Sequence, residues 1–408
     1  MYDNLLHQAA AARLAADIKN AALPGALLFS GAECSGKLTG ALETARILSC
    51  TAAPQGDWNC VCPSCAQHKS LVNANLLLAG PRACTTEIEA ASALFLKAAE
   101  SNAPFLTAAR YLYLRAARKL TLRFSGVLWD GDDKFSKIAA AIAEIDELME
   151  PLDFPHTLPE LKTVRKTAEK LSAHFQKLEG TFLYDSIPVS QMRNASAWAR
   201  IKSFDGKKTI IIENADRMLE SVRNALLKIL EEPPEDTVFI LTTTCRAAVM
   251  PTILSRVRTY QFAKRNAEQE RNVLDRVFHA ETFTGSISDY LLSYLPVPPP
   301  VVRAAAQAFF ADIAAFRIPD IPATVKECGA FNPRIALKIF LDGITGAQRK
   351  LLFSPVGGAA SREVLAALEA CWNSVTVYNL SPTAALETLV RSLLKTNKQY
   401  GGVFECAV

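Results

Sequence analysis

The residues of this chain best placed to do chemistry lie in a glycine-rich loop, at an acidic strand end and in a cysteine cluster. In GAECSGKLTG, Gly31, Gly36 and Lys37 occupy fixed places of a phosphate-binding loop, G-x-x-x-x-G-K-[ST]. Such a loop cradles phosphates with backbone N–H groups, pairs its lysine with the β/γ-phosphates and ligates Mg²⁺ through the closing hydroxyl. Here the closing position is Leu38. Thr39 comes one residue late and, on a helix, points about 100° away. The loop amides and the helix dipole could still hold ATP or ADP without Mg²⁺ chemistry. The second half of such a site is an acidic pair closing a buried strand, one acid for the metal and one to orient water. The corresponding segment, IIIENAD, offers Glu213, which could approach a metal, and Asn214, an amide that cannot act as a base. Two departures in one reaction argue that hydrolysis is lost and the loop survives as fold. Cys50, Cys60, Cys62 and Cys65 are clustered, while the other six of ten cysteines are scattered singly. That distribution fits one metal site in a reducing compartment, the cytoplasm, better than a disulfide framework.

The elements that must position these residues follow from periodicity. GALLFSG (Gly25 to Gly31) is a short apolar run ending in glycine, and a helical pattern covers Lys37 to Leu48. Strand, turn, helix is the context a phosphate loop requires. KKTIIIENAD and TVFILTTT (Thr237 to Thr244) are continuous apolar or β-branched runs, the signature of parallel strands covered on both faces. Helices fall between them, so the fold class is α/β, a parallel sheet with flanking helices, to about Phe262. From about 84 to 181 the pattern is helical without strands, with one stripe at Ile138, Ile142, Ile145 and Met149 and another from Leu161 to Leu178. This predicts an insertion of three or four helices. After Phe262 the chain is helical again, with LPVPPPVV as a stiff connector.

Composition sets outer limits. With 408 residues, 50% hydrophobic, the chain can build two or three domains. A net charge of +4 permits a nucleic-acid contact without requiring one. No apolar run reaches the roughly 18 residues of a membrane helix, and the first twenty residues read as an amphipathic helix rather than a signal peptide. Within the insertion, PFLTAARYLYLRAARKLTLRFSG carries Arg110, Arg115, Arg118, Lys119 and Arg123 with no acid. It is either a solvated helix face or a contact for DNA phosphates or an acidic partner.

IIIENADRM, NALLKILEEPP, FILTTT and PTILSRVR, in that order after a phosphate loop, resemble the bacterial clamp-loader subunits of DNA polymerase III, AAA+ proteins of the gamma/tau and delta-prime type. The resemblance covers residues 1–83 and 182–262 well. Toward the C-terminus it rests on NPRIALKIF and SPTAALETLVRSLL alone. The absent second acid is similar to delta-prime, the member that does not hydrolyse ATP. The resemblance implies an AAA+ domain (1–262), a helical lid (263–300) and a helical collar (301–408). It implies gamma/tau and delta subunits, the sliding clamp and primer-template DNA as partners, with no membrane. Arg256 matches the family's Ser-Arg-Cys arginine, a finger for the neighbouring subunit's γ-phosphate, with Val257 in place of the cysteine. The cysteines match a structural zinc module at about 50–65, although Cys60-x-Cys62-x-x-Cys65 is shifted by one residue. His68 is a substitute ligand should Cys60 be misdirected. An active gamma/tau-like ATPase, and a nucleic-acid-binding module acting through the insertion, are the alternative readings.

Overall fold

In a computed structural model, which describes residues 1–407 except Arg82, Asp185, Phe204, Asp205, Pro355 and Asn379, a helix α1 (Ala10–Lys19) leads into β1 (Ala26–Gly31). Helix α2 (Lys37–Leu48), a short helix α3 (Pro63–Ser70) and β2 (Leu76–Ala79) follow. The insertion is four helices, α4 (Thr85–Glu100), α5 (Leu106–Thr121), α6 (Phe135–Met149) and α7 (Leu161–Phe182). The chain then resumes alternation with α8 (Val189–Arg200), β3 (Lys208–Ile212), α9 (Glu220–Glu231), β4 (Thr237–Thr243), a single turn α10 (Pro251–Leu254), β5 (Arg258–Phe262) and α11 (Ala267–Val273).

The five strands pair in parallel in the order β2-β3-β4-β1-β5. β1 to β4 are buried along their whole length, which is why they read as unbroken apolar runs. Alternate residues serve opposite faces. Leu27, Phe29, Leu78, Ile211 and Ile240 pack with Leu38, Ala41 and Leu42 of α2. Leu28, Leu77, Ile210, Ile212 and Leu241 pack with the insertion, through residues such as Phe95, Tyr113, Trp129 and Phe175. β5 is an edge strand with alternating exposure. Two of the five strands lie outside the sequence reading. β2 is four residues without a β-branched side chain, and β5 is half polar.

The chain divides into two compact units, Met1–Tyr290 and Leu291–Val408, with α12 (Ile287–Leu292) running across the division. The second unit is helical: α13 (Pro299–Ala314), α14 (Ile321–Glu327), α15 (Ile335–Ala347), α16 (Gly357–Thr376) and α17 (Pro382–Gln399). Its core is built on Phe309, Phe310, Phe340, Leu386 and Leu393. Asn397, wholly buried, donates to the Ile313 and Ala314 carbonyls at 3.1 and 3.2 Å and accepts from the Phe404 amide at 3.0 Å. It thereby satisfies backbone groups at the end of α13 that burial would otherwise strand.

Candidate functional site

The glycine-rich loop joins β1 to α2. At Gly31 a Cβ would lie 2.3 Å from the Phe262 carbonyl oxygen, so glycine is demanded there by the approach of β5. Gly36 sits at φ +91°, left-handed, and opens α2. Lys37 Nζ donates to the Gly31 and Ala32 carbonyls at 2.6 and 2.5 Å and to Ser35 Oγ at 3.4 Å, holding the loop closed on itself. Leu38 is 5% exposed and belongs to the apolar cluster that includes Leu5 and Phe29, so a core side chain stands where a Mg²⁺-ligating hydroxyl is required. Arg265, buried, donates to the Cys34 carbonyl at 2.6 Å and to the Leu6 carbonyl at 2.8 Å. It ties the chain's first residues to the loop across 259 positions, a tie that no local pattern announces.

At the end of β3 the structure corrects the reading of Glu213 as free to approach a metal. Its carboxylate is ion-paired with Arg123, the two side chains being 9% and 1% exposed. Asn214 adopts a left-handed φ of +56° and donates its amide to the Pro81 carbonyl. The loop lysine and the strand-end carboxylate are therefore each held by the protein's own groups.

The five cations of the basic segment, four on α5 and Arg123 in the turn after it, all make contacts within the protein. Arg110 donates to the carbonyls of Leu152, Asp153 and His156 at 2.7, 2.6 and 2.7 Å. Arg115 caps the end of α3 through the His68 and Lys69 carbonyls, and Arg118 does so through Ser70 at 3.1 Å while pairing with Asp153. Lys119 pairs with Glu87 and Arg123 with Glu213. Tyr113 stacks on Phe95 and Tyr111 on Phe154. The inward direction had a trace in sequence, since Arg110 and Arg123 fall on the apolar side of α5 and of the turn after it.

Arg256 follows α10 at the surface, 32% exposed. Its guanidinium is held on one side, Nη1 donating to the Thr252 carbonyl at 2.7 Å and to Ser255 Oγ at 3.3 Å, Nη2 meeting Glu231 at 2.7 Å. Glu231 is the last residue of α9, so NALLKILEEPP and LSRVR meet in space. Val257 is buried against the core.

The four clustered cysteines do converge. The sulfurs of Cys50, Cys60, Cys62 and Cys65 lie within 4.8 Å of one another, Cys50 and Cys60 at 3.7 Å. A tetrahedron of thiolates at ~2.3 Å from zinc would set its sulfurs ~3.8 Å apart, so the set fits that ion. The one-residue shift is absorbed by the short turn before α3. Cys62 caps α3 and its sulfur accepts from the Cys65 amide at 3.5 Å. Burial opposes ionisation of Cys62, yet hydrogen bonds from the Cys65 and Thr51 amides hold its thiol down at about 6. Cys65, fully buried, is pushed up by that burial even though Arg46 Nη1 donates to its sulfur at 3.1 Å. Arg46 itself is committed to Glu43 at 2.6 Å and to the Gly56 and Asp57 carbonyls, and with Lys69 it flanks the Trp58 ring. His68 stays outside the group; burial and the nearby Arg46 and Arg115 hold its imidazole down at about 4, in the neutral form.

Residues 154–266 match a family model described as DNA polymerase III, delta subunit. The delta' subunit of DNA polymerase III from Haemophilus influenzae is 35% identical over 83 residues, 20% of this chain and 25% of that protein. The gamma/tau subunit from Mycobacterium bovis is 35% identical over 91 residues, 22% of this chain and 15% of that protein. The chain thus spans a quarter or less of the length of these curated relatives. A solved gamma subunit-related protein from Thermotoga maritima aligns with 56% of this chain and 90% of its own at 13% identity, with a TM-score of 0.27 that adds nothing to the architecture described above. In motif order and in this matched segment the chain is similar to the clamp-loader subunits of DNA polymerase III.

Proposed function

We propose that this chain is a delta-prime-like subunit of the clamp loader, supporting ATP-dependent loading of the sliding clamp onto primer-template DNA without hydrolysing ATP itself. The observation that carries this reading is the pairing of a spent site with a displayed arginine. Leu38 is core, Glu213 is neutralised by Arg123 and Asn214 is no base, while Arg256 stands at the surface with its guanidinium splinted. A planar, permanently charged fork of that kind stabilises charge developing on a transferred phosphoryl group, here on ATP bound by a gamma/tau-type neighbour. The other partners are the delta subunit and the clamp, and the place of work is the cytoplasm. The helical segments after Phe262 serve as lid and collar. The cysteine cluster holds one structural zinc ion, closed to chemistry because all four positions are protein thiolates.

The test is the DNA-stimulated ATPase of a loader reconstituted with gamma/tau and delta subunits. Arg256→Ala should leave assembly intact and depress turnover. A finger supplied in trans is worth roughly 10³–10⁵ at the site that depends on it, and the loss for the whole complex is smaller because other sites keep theirs. Arg256→Lys should not rescue, since an ammonium lacks the fork. An assembled mutant complex turning over at the wild-type rate rejects the finger. Turnover by the isolated chain rejects the non-hydrolysing assignment in favour of the gamma/tau-like one.

A further inference from the structure

The insertion between β2 and β3 enters the function proposed above only through Arg123, the residue that reaches the strand end where nucleotide chemistry would need a metal. Arg123 lies in the turn Leu122–Phe124 that ends α5. Leu122 packs on the α2 side of the sheet, whereas Phe124 is buried on the insertion side and stacks on Trp129 at 5.6 Å. The turn therefore straddles the edge of the sheet at the end of β2. Trp129 Nε1 donates to the Arg123 carbonyl at 2.8 Å and fixes the turn from behind. From this seat Arg123 Nη1 donates to the Gly80 carbonyl at 3.1 Å, and Nη2 pairs with Glu213.

The ends of β2 and β3 leave no slack around this pair. The Glu213 amide donates to Ala79 at 2.9 Å, and a Cβ on Gly80, at φ +120°, would sit 2.7 Å from the Glu213 carbonyl oxygen. A carboxylate buried to this degree requires a cation. In phosphoryl-transfer proteins of this loop type, the acid ending the strand meets Mg²⁺, which the loop hydroxyl also ligates. Here the hydroxyl is replaced by the buried Leu38, and the acid is met by a guanidinium. The residues present do not fit a Mg²⁺ site.

We infer that Arg123 takes the place of the divalent cation, so that the insertion supplies the strand-end acid with a permanent internal counter-charge. The rest of α5 makes the arrangement fixed rather than switchable. Arg115 and Arg118 bind the carbonyl end of α3, Lys119 binds Glu87, and Arg110 is anchored on the 152–156 turn. Arg123 cannot withdraw without carrying the helix from these seats. This inference concerns the chain's own charge balance and stands apart from the assignment of Arg256.

The experiment is thermal unfolding of the zinc-loaded full chain, with and without millimolar Mg²⁺ or Mn²⁺. Wild type should show no cation-dependent shift. Arg123→Ala removes the guanidinium paired with the buried Glu213 carboxylate and should lower Tm by on the order of 10 °C. Millimolar Mg²⁺ or Mn²⁺ should restore part of that loss, because a cation now enters the vacated place. The double variant Arg123→Ala/Glu213→Gln should ignore both ions. An Arg123→Ala chain indifferent to divalent cations overturns the inference, as does a wild type stabilised as strongly as the variant. A second measurement covers the case in which Arg123→Ala does not fold. Mn²⁺ titration of the wild type and of Glu213→Gln, followed by water-proton relaxation, should give identical curves. A Mn²⁺ site in the wild type that Glu213→Gln removes overturns the substitution.

Discussion

Helix α5 runs between two anionic centres that the molecule treats in opposite ways. At one side Arg115 and Arg118 brace α3, whose first turn carries Cys62 and Cys65. At its other end Arg123 meets Glu213. The strand-end carboxylate is compensated by the chain itself. The cysteine cluster is not: Arg46, the arginine in contact with a sulfur, is already spent on Glu43. A partly buried group of four convergent thiols whose neighbouring arginine is already committed is a place for a metal ion, and a carboxylate with its own guanidinium has no need of one. Convergence of ligand atoms is therefore only half of a metal site, and the charge left over is the other half.

The largest effect expected from this contrast is at the cysteines. Protein purified without chelator should carry close to one zinc per chain, measured by atomic absorption, and a value near zero ends the argument for the module. Stripping the ion, or Cys65→Ser, should cost several kcal/mol of stability and expose the 50–70 segment to hydrogen exchange, since metal binding here is folding energy. ATP turnover of the isolated chain should be the same with and without the ion.

A smaller loss is expected where the chain supplies the cation. Arg110→Ala removes three carbonyl bonds and a guanidinium lying 4.2 Å over the Phe154 ring. Denaturant titration should show a loss of about 2–4 kcal/mol. Arg110→Lys should recover only part, because one ammonium cannot reach three carbonyls arranged for a fork. A loss below about 0.5 kcal/mol would mean that the inward arginines of α5 are ornaments of the insertion and not its anchors.

Smallest of all should be Lys37→Ala. In a working phosphate loop this lysine is indispensable, whereas here it donates to the Gly31 and Ala32 carbonyls and Ser35 Oγ of the loop itself. A destabilisation of about 1 kcal/mol, with no change in background ATP turnover of the isolated chain, is expected. Turnover that the substitution abolishes would show that the loop still works and would erase the contrast between the two centres.

Much of this molecule was legible along the chain, because the relevant physics is local. Apolar runs at Leu27–Phe29, Ile210–Ile212 and Val238–Leu241 gave three of the strands, and the Ile138–Met149 and Leu161–Leu178 stripes gave two of the insertion helices. β2 was not legible because Leu76–Ala79 is too short to show a period, and β5 because an edge strand keeps polar residues. The cysteine cluster was legible as a cluster, since its members are neighbours in sequence. That the shifted Cys60 joins it depended on how the turn from Asp57 to Cys62 folds.

Sequence alone settled which groups are present: Leu38 without a hydroxyl, Asn214 without a basic oxygen, and four thiols between Cys50 and Cys65. Those are matters of residue chemistry and need no fold. Only the tertiary structure decided where charge is met. Arg123 and Glu213 are 90 residues apart, Arg110 and Leu152 are 42 apart, and Arg265 reaches Leu6 across 259. No helical or strand period links such positions; Arg123 meets Glu213 because the turn that ends α5 crosses the edge of the sheet, and the other two pairs likewise meet only through tertiary packing. A run of arginines has the same composition whether it faces water or carbonyl oxygens, and burial fixes which.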